Sequence, residues 1–258
     1  MGHLFIFGFG YTARAVAARL DGWTVSATGR DGSVDFADDD GVRRAIAGAS
    51  HVLSCVPPAD GADPVLDRYG DALGGRWIGY LSSTGVYGDT GGAWVDESAP
   101  TGTGRRSARS AADAAWLERG AHVFRLPGIY GPGRSPLDRV LAGTAHRIDL
   151  PGQVFSRVHV ADIADGVAQS FGKPAGAYNL ADDLPASANA VVDEACRLLG
   201  TPPPPLQALE DAGLSPAARG FYAENRRIAN GKARRVLGWR PRYPTYREGL
   251  RALLSAGS

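Results

Sequence analysis

The chain has 258 residues, with 28 lysines and arginines against 27 aspartates and glutamates. This length suits one large α/β unit with a small extra lobe, and the balanced charge gives no electrostatic case for a nucleic-acid or membrane partner. Cys55 and Cys196 lie far apart, without metal-ligand spacing or a disulfide framework, so the sequence predicts no metal site and a cytoplasmic protein. No apolar stretch approaches membrane-span length, and the first residues are typical of a core strand rather than a signal peptide.

The start of the chain predicts a dinucleotide-binding turn. Four apolar residues predict a short buried strand, and two glycines and a helical pattern follow at once. Gly8 permits the tight turn, Gly10 lets a pyrophosphate approach the backbone, and Ala13 keeps the helix close to the strand. The helix N-terminus offers unpaired N–H groups and a positive dipole to the phosphates. The predicted cofactor site in this turn comprises Gly8, Gly10, Tyr11, Thr12 and Ala13.

The second predicted strand, residues 23–28, indicates which cofactor binds. An NAD-specific protein usually has an acidic residue near the end of this strand to bind the ribose 2′-hydroxyl. Thr28 and Arg30 occupy that place here. A hydroxyl and a guanidinium suit a 2′-phosphate, so the sequence predicts NADP over NAD. The alternative is that Arg30 is a solvated surface charge and Asp31 binds the ribose.

Strand and helix patterns then alternate, which predicts a Rossmann-type, doubly wound parallel sheet with helices on both faces. Asp35 and Phe36 end the third predicted strand and are assigned to the cofactor site. The helix after the fifth strand has a predicted buried stripe of Ala108, Ala111, Ala112, Ala115 and Trp116. The further strands predicted in this half are residues 33–36, 51–54, 77–81 and 122–126, and the helices are 42–47, 64–73 and 107–119.

The composition shifts after Tyr130, where Gly-Pro-Gly breaks the chain. A helix near 136–142 and a strand near 154–159 follow, and Asp162 is predicted to N-cap the next helix. A further strand covers 177–180, and the remainder is predicted to be mostly helical.

The last third also contains clusters of basic residues, Arg226-Arg227 and 232–235, which predict a solvated helix face rather than a nucleic-acid interface. The chain is predicted to form one compact unit with two discontinuous parts. The dinucleotide-binding unit comprises residues 1–130 and 148–178, and a small, mostly helical substrate-side lobe comprises residues 131–147 and 179–258.

Four motifs resemble those of the extended short-chain dehydrogenase/reductases, the NAD-dependent epimerase/dehydratase family. They are LSSTGVYG at 81–88, RLPGIYGPG at 125–133, VHVADIA at 158–164 and YNLAD at 178–182. With the glycine turn, they run in the family's order from residue 3 to about 182. The resemblance implies a Ser or Thr after the fifth strand that contacts substrate, and a C-terminal lobe that closes over it. It also implies a turn under the nicotinamide, which falls on Pro127, Gly128 and Ile129.

Aligned on Val-Tyr-Gly, the family's active Ser/Thr falls on Ser83, with Thr84 beside it. The physical role is a hydroxyl donor at the carboxyl end of a strand, hydrogen-bonded to a substrate oxygen. The alternative is that Ser82, Ser83 and Thr84 satisfy backbone groups in a tight loop. His159 is more typical of a packed structural residue than of a base.

The chain departs from the family at the Tyr-x-x-x-Lys pair, where the Tyr transfers a proton and the Lys holds the ribose. Arg105 falls on the Tyr and Arg109 on the Lys. Arg109 keeps the charge and the expected ribose contact, but the Arg105 guanidinium stays protonated and cannot act as an acid/base. Arg105, Arg109 and Asp113 share one helix face, which either binds an anion or is an ordinary charged surface. Tyr87 is the candidate replacement acid, although the family uses that position mainly for packing.

The resemblance therefore implies an atypical branch with an intact dinucleotide site and an altered active site. The leading hypothesis is an NADP-preferring epimerase/dehydratase-like oxidoreductase acting on a small molecule, such as a nucleotide sugar or a carbonyl compound. The alternative is a non-catalytic NADP-binding sensor or scaffold, which the missing Tyr-Lys pair favours. A homodimer is the assembly considered for either case.

Overall fold

A computed structural model describes residues 2–59, 61–104 and 107–256. Its centre is a six-stranded parallel sheet with the order β6-β5-β4-β3-β1-β2. The strands are β1 (His3–Phe7), β2 (Thr24–Ala27), β3 (His51–Ser54), β4 (Trp77–Ser83), β5 (His122–Leu126) and β6 (Gly176–Asn179). This sheet confirms the predicted Rossmann-type fold.

Helices connect the strands and cover both faces of the sheet. They are α1 (Tyr11–Arg19), α2 (Asp39–Gly48), α3 (Pro64–Tyr69), α4 (Ser107–Glu118), α5 (Pro136–Leu141), α6 (Val160–Gln169), α7 (Ala188–Leu199), α8 (Pro216–Phe221) and α9 (Tyr246–Ala256). Side chains alternate along β1, so that Leu4 and Ile6 enter the core with α1 and α6, whereas Phe5 and Phe7 enter the core with α2, α3 and α4. Both faces of β1 are therefore buried, as its unbroken apolar run requires.

Short two-stranded pairings join the sheet to the rest of the chain. Gly128–Tyr130 pairs with Arg157–His159, Trp94–Val95 with Arg227–Ile228, and Arg147–Ile148 with Leu206–Gln207. We use "small lobe" for the described residues of 131–147 and 179–256. Its own core lies between α5, α7 and α9. Among the described residues, no helix is both long and apolar enough to cross a membrane.

The predicted third strand is wrong. Within residues 33–36 there is a single bridge, between Val34 and Thr28, and Asp35 accepts a hydrogen bond from the Ala37 N–H at 3.0 Å. The carboxylate thus turns the chain towards α2 instead of extending it along β2. Asp and Asn favour such turns over strands because their side chains bond the backbone locally.

Two predictions about helices are also wrong. His159, not Asp162, caps α6, and the Asp162 carboxylate instead accepts hydrogen bonds from the backbone of Arg242 and Tyr243. On α4, Ala111 is exposed and Asp113 is buried. In both helices, a carboxylate has a distant partner that a local pattern does not reveal.

Candidate functional site

The chain creates a crevice where the order of its strands reverses. The connection from β1 leads to β2 on one side of the sheet, whereas that from the neighbouring β3 leads to β4 on the other side. In open parallel sheets, ligands bind at the carboxyl ends of the strands at such a point. A cleft of about 890 Å³ opens there, bounded by the glycine turn, the ends of β4 and β5, and the small lobe. Small-molecule sites typically have about 300–1,000 Å³.

The glycine turn lines one end of this cleft. Gly8 has a φ of +84°, and a Cβ there would stand 3.0 Å from Val56 Cγ2. Gly10 has a φ of −91° and caps α1 without a side-chain hydrogen bond, and a Cβ at Gly10 would meet no atom within 4 Å. The turn therefore leaves open space before the amides of the first turn of α1, as a bound anion requires. All five predicted turn residues line the cleft: Gly8, Gly10, Tyr11, Thr12 and Ala13.

Thr28 and Arg30 have different surroundings at the end of β2. Thr28 is buried, and its Oγ1 and backbone O accept hydrogen bonds from Gly8 N at 3.1 Å and Phe9 N at 2.8 Å. Arg30 is exposed and makes no hydrogen bond or ion pair within the described part of the chain. Asp31, the alternative ribose ligand, is paired with Arg14. Thr28 thus shapes the glycine turn, and Arg30 is the cation exposed next to it.

Asp35 and Phe36 lie outside the lining of the cleft. Phe36 is half-buried and packs its ring against Phe7 and Tyr69, with centroids 6.1 and 5.4 Å away. Asp35 is exposed and bonded to the backbone of its own turn. The structure therefore does not bring these two residues together with the glycine turn.

Ser83 stands at the carboxyl end of β4 and lines the cleft. Its Oγ accepts a hydrogen bond from Gly85 N at 3.1 Å, as the N-cap of a 3-10 turn, Thr84–Tyr87. Because that bond uses a lone pair, the hydroxyl proton remains available to a ligand. Ser82 differs, since its hydroxyl donates to Asp113 at 2.6 Å. Ser83 can therefore cap the 3-10 turn and donate a hydrogen bond to a ligand at the same time.

The face of α4 that was expected to carry charges is partly buried. Asp113 pairs with Arg125 of β5 at 2.7 Å, and both side chains are at most 4% exposed. Arg109 lines the cleft and donates to the hydroxyl of Tyr80 at 3.3 Å, and burial raises the pKa of Tyr80 to about 12. Arg105 lies outside the described residues. The face is therefore no ordinary charged surface, because Asp113 points into the protein.

Tyr87 is buried behind the cleft rather than on its surface. Its hydroxyl donates to Asn179 Oδ1 at 2.8 Å and accepts from Arg125 at 3.0 Å. Burial raises the pKa of this phenol, against the effect of Arg125. Tyr87 is not among the residues that line the cleft. Its hydroxyl thus serves the buried network around Arg125.

The Pro-Gly-Ile turn extends the cleft past β5. Pro127, Gly128 and Ile129 line it, and Gly128 N donates to Ser156 O at 3.2 Å. The turn is therefore fixed to the strand Arg157–His159, beyond which the chain enters α6.

Residues from the second half of the chain that the sequence motifs do not indicate complete the cleft. They include Phe155, Arg157, Tyr222 and Arg226. Arg226 was expected on a solvated helix face, which is wrong: it is half-buried and precedes the strand Arg227–Ile228. No local signal distinguishes it, because its place depends on pairing with Trp94–Val95, far away in the sequence. Within the described ranges, no group of three or more His, Cys, Asp or Glu side chains could hold a metal ion.

Comparisons with known proteins agree with this geometry. The chain is 41% identical to a functionally unknown conserved protein from Silicibacter pomeroyi, over 99% of both chains, with a TM-score of 0.87. A human epimerase family protein solved with NADPH, 14% identical, superposes with a TM-score of 0.75 over 98% of this chain and 99% of the other. A Methylobacillus flagellatus protein described as an NAD-dependent epimerase/dehydratase, 22% identical, also gives 0.75, over 99% and 98%. No family model matches the chain.

Curated proteins also match part of the chain. A 3-diazoavenalumate denitrifying reductase from a Streptomyces species is 34% identical over 140 residues, which are 50% of this chain and 45% of that protein. Protein YeeZ of Escherichia coli K12 is 29% identical over 177 residues, 64% of this chain and 58% of its own. The chain thus spans about half the length of the curated relatives it matches.

The chain shares its fold with solved structures of the NAD-dependent epimerase/dehydratase and extended short-chain type, the class that the sequence motifs resemble. The chain belongs to the same family as the Silicibacter pomeroyi protein.

Proposed function

We propose that the protein is an NADPH-dependent reductase of the extended short-chain type. The observation that carries this proposal is a single cleft that joins the glycine turn, the Pro-Gly-Ile turn and Ser83. These groups occupy the places where such a protein needs a phosphate site, a nicotinamide platform and a donor to the substrate. An extended dinucleotide and a small substrate require that kind of continuous cleft.

The residues present fit a nicotinamide dinucleotide. The open space at Gly10 and the uncapped start of α1 would hold the pyrophosphate. Arg134, whose guanidinium lies 5.2 Å from the ring centroid of Tyr11, adds positive charge at that end of the cleft. Arg109 would hold the ribose. The bound cofactor would supply the hydride, and the chain's part is to bind and orient both reactants.

A preference for NADP rests on Arg30 rather than on Thr28. The Thr28 hydroxyl is inside, bonded to Gly8, whereas Arg30 is exposed next to the turn. A guanidinium binds phosphate through charge-assisted hydrogen bonds, and the neighbouring carboxylate of Asp31 is neutralised by Arg14. The end of β2 therefore suits a 2′-phosphate better than a bare ribose hydroxyl.

The substitution of the Tyr-Lys pair indicates the kind of hydride acceptor. Arg105 cannot supply a proton, and the Tyr87 hydroxyl is bonded within the buried network. We therefore expect an acceptor that is already strongly electrophilic and needs hydrogen bonding rather than proton transfer from the protein. The likeness to a reductase described as acting on a diazo compound supports this reading.

The test is NADPH oxidation measured in stopped flow with carbonyl compounds, nucleotide sugars and aryl diazonium salts. We expect turnover with at least one electrophile, and loss of that turnover in Gly10→Val. If NADPH binds tightly but no compound is reduced above background, the protein is instead a non-catalytic NADP-binding sensor or scaffold.

A further inference from the structure

The substrate end of the cleft differs in chemistry from the cofactor end. Most of the side chains that the chain contributes there after residue 150 are apolar or aromatic. They include Phe155, Val191, Val192, Leu214, Phe221 and Ile228. The apolar side chains gain free energy by removing apolar ligand area from water, and they provide no partners for the hydroxyls of a sugar. The polar groups of this surface belong to Ser156, Arg157, Tyr222, Glu224 and Arg226.

Two polar side chains on this surface are already bonded within the protein. Ser156 Oγ accepts from Ile228 N at 3.0 Å, which leaves its hydroxyl proton available, as at Ser83. Arg157 donates to the carbonyls of Phe155 at 2.9 Å, Ala186 at 3.1 Å and Ser187 at 3.3 Å. Arg157 therefore joins the sheet to the small lobe, and most of its hydrogen-bonding capacity is used there.

Arg226 is hydrogen-bonded to the protein through its Nη1 atom. Its Nη1 donates to Gly88 O at 2.6 Å and to the Glu224 carboxylate at 2.9 Å, and the side chain is 16% exposed. Its Nε and Nη2 make no hydrogen bond within the described part of the chain. A guanidinium fixed in this way presents its remaining edge with little loss of conformational entropy on binding.

That edge lies beside Ser83. The position of a Cβ on Gly85 would be 3.3 Å from Ser83 Oγ and 4.0 Å from Arg226 Nη2, so both groups border the same small region. Both residues also line the cleft. The Ser83 hydroxyl proton and the Arg226 N–H groups can therefore reach one ligand.

We propose that the substrate is a carboxylate with an apolar or aromatic body, and that Arg226 binds its carboxylate beside Ser83. This rests on the proposed function, which places the substrate at Ser83. The Nε and Nη2 edge matches a carboxylate through two parallel hydrogen bonds. The apolar surface of Phe155 and α7 receives the body. A nucleotide sugar, which is polar along its whole length, fits this surface poorly.

The test is calorimetric titration of the NADPH-loaded protein with benzoate and with benzamide, which share a ring and differ in charge. We expect benzoate to bind roughly ten- to a hundredfold more tightly, the range for a hydrogen-bonded charge. Arg226→Gln should abolish this preference and leave the affinity for benzamide unchanged. Arg240→Gln removes an exposed arginine that does not line the cleft, and it should keep the preference.

A second variant addresses the role of Arg226 in holding Gly88. Arg226→Lys keeps the positive charge but loses the two parallel N–H donors of the guanidinium, so it should retain only part of the preference for benzoate. This variant can be measured even if Arg226→Gln is unstable. Equal affinities in the wild type, no binding of either compound, or tighter binding of UDP-glucose would overturn the proposal. So would a preference that survives in both Arg226 variants.

The proposed function can fail separately from this inference. NADPH binding is measured first by its fluorescence, and its absence would refute the proposed function alone. The same two compounds are then titrated into the cofactor-free protein, where the contact with Arg226 is still expected.

Discussion

Gly8 and Gly10 are two residues apart and require glycine for different reasons. Gly8 has a left-handed φ of +84°, and a side chain there would press on Val56, so a substitution strains the fold itself. Gly10 has an ordinary φ of −91° and open space around it. A substitution at Gly10 is therefore compatible with the backbone and acts on whatever occupies the cleft.

We expect Gly10→Val to abolish NADPH binding while the protein stays folded. The branched side chain would fill the space that the pyrophosphate needs, without meeting any protein atom. Calorimetry gives the affinity and circular dichroism the fold. Gly74→Val is the control, because Gly74 also has open space but lies away from the cleft. Normal NADPH binding by Gly10→Val would show that the phosphates lie elsewhere.

Arg30 is expected to determine the choice of cofactor. The wild type should bind NADPH roughly ten- to a hundredfold more tightly than NADH, and Arg30→Ala should reduce the affinity for NADPH and leave that for NADH nearly unchanged. Fluorescence titration with both cofactors measures this. Arg240→Ala controls for a general loss of positive charge. Equal binding of the two cofactors by the wild type would refute the NADP assignment.

Ser83→Ala is expected to reduce kcat far more than NADPH affinity, because the lost hydroxyl acts on the substrate. Removal of one preorganised donor commonly costs about 10²–10³-fold in kcat. Ser83→Thr should restore part of the activity. Ser82→Ala is the comparison, since the Ser82 hydroxyl is bound to Asp113, and its loss should affect stability rather than turnover. An equal loss of kcat in both alanine variants would indicate a purely structural role for Ser83.

At the scale of elements, α4 is attached to the sheet by a buried ion pair. Asp113 accepts from Arg125 Nε at 3.1 Å and Nη2 at 2.7 Å, and Ser82 and Tyr87 contact the same two side chains. One network therefore fixes the positions of α4, β4 and β5. Since α4 carries Arg109 and β4 carries Ser83, this network fixes the positions of both residues at the cleft.

We expect Asp113→Asn to destabilise the protein by about 3–5 kcal/mol, because it leaves the Arg125 charge buried without a counter-ion. Urea unfolding provides the measurement. Asp71→Asn is the matched control: it also removes a carboxylate paired with an arginine, but that pair is exposed, and it should have little effect. Similar midpoints for the two variants would contradict the interpretation of the buried network.

Local signals explain why much of this arrangement could be predicted. The apolar run of β1 and the glycines after it can be recognised from neighbouring residues alone. The same holds for the run of hydroxyl residues at the end of β4. The inward position of Asp113 depends on Arg125 across the sheet, and that of Arg226 on a strand pairing with Trp94–Val95. A charged residue in a local pattern appears exposed, because its partner is far away in the sequence.

At the scale of the whole molecule, the sheet and the small lobe meet around buried polar groups. Asp182 follows β6; its N–H donates to Arg157 O at 2.7 Å, and one carboxylate oxygen accepts from Leu184 N at 3.3 Å. The other carboxylate oxygen is buried and has no hydrogen-bond partner among the described residues. Burial raises the pKa of Asp182 to about 7, against the attraction of Arg157. Burial at this junction therefore favours the protonated form of the Asp182 carboxyl group over the ionised form.

The contribution of Asp182 to the stability of the protein should consequently fall as the pH rises from about 4 to about 7. The unfolded chain releases the Asp182 proton near pH 3.9, whereas the folded chain keeps it until about pH 7, so the folded state binds more protons throughout this window. Asp162, whose pKa burial raises to about 6, contributes in the same direction. The stabilisation by the buried protonated carboxyl is fully present below the pKa of the unfolded chain. It is lost as the pH rises through the pKa of the folded chain.

Asp182→Asn should remove this contribution, because the amide cannot ionise and its oxygen can still accept from Leu184. Above pH 7 the variant should gain up to a few kcal/mol relative to the wild type, since each pKa unit corresponds to about 1.4 kcal/mol. Thermal unfolding between pH 4 and 8 measures the slope, and Asp211→Asn, at an exposed position of the small lobe, is the control. If the difference in stability between Asp182→Asn and the wild type does not change between pH 4 and 8, the Asp182 carboxyl ionises in the fold as readily as in the unfolded chain, and burial at the junction does not hold its proton.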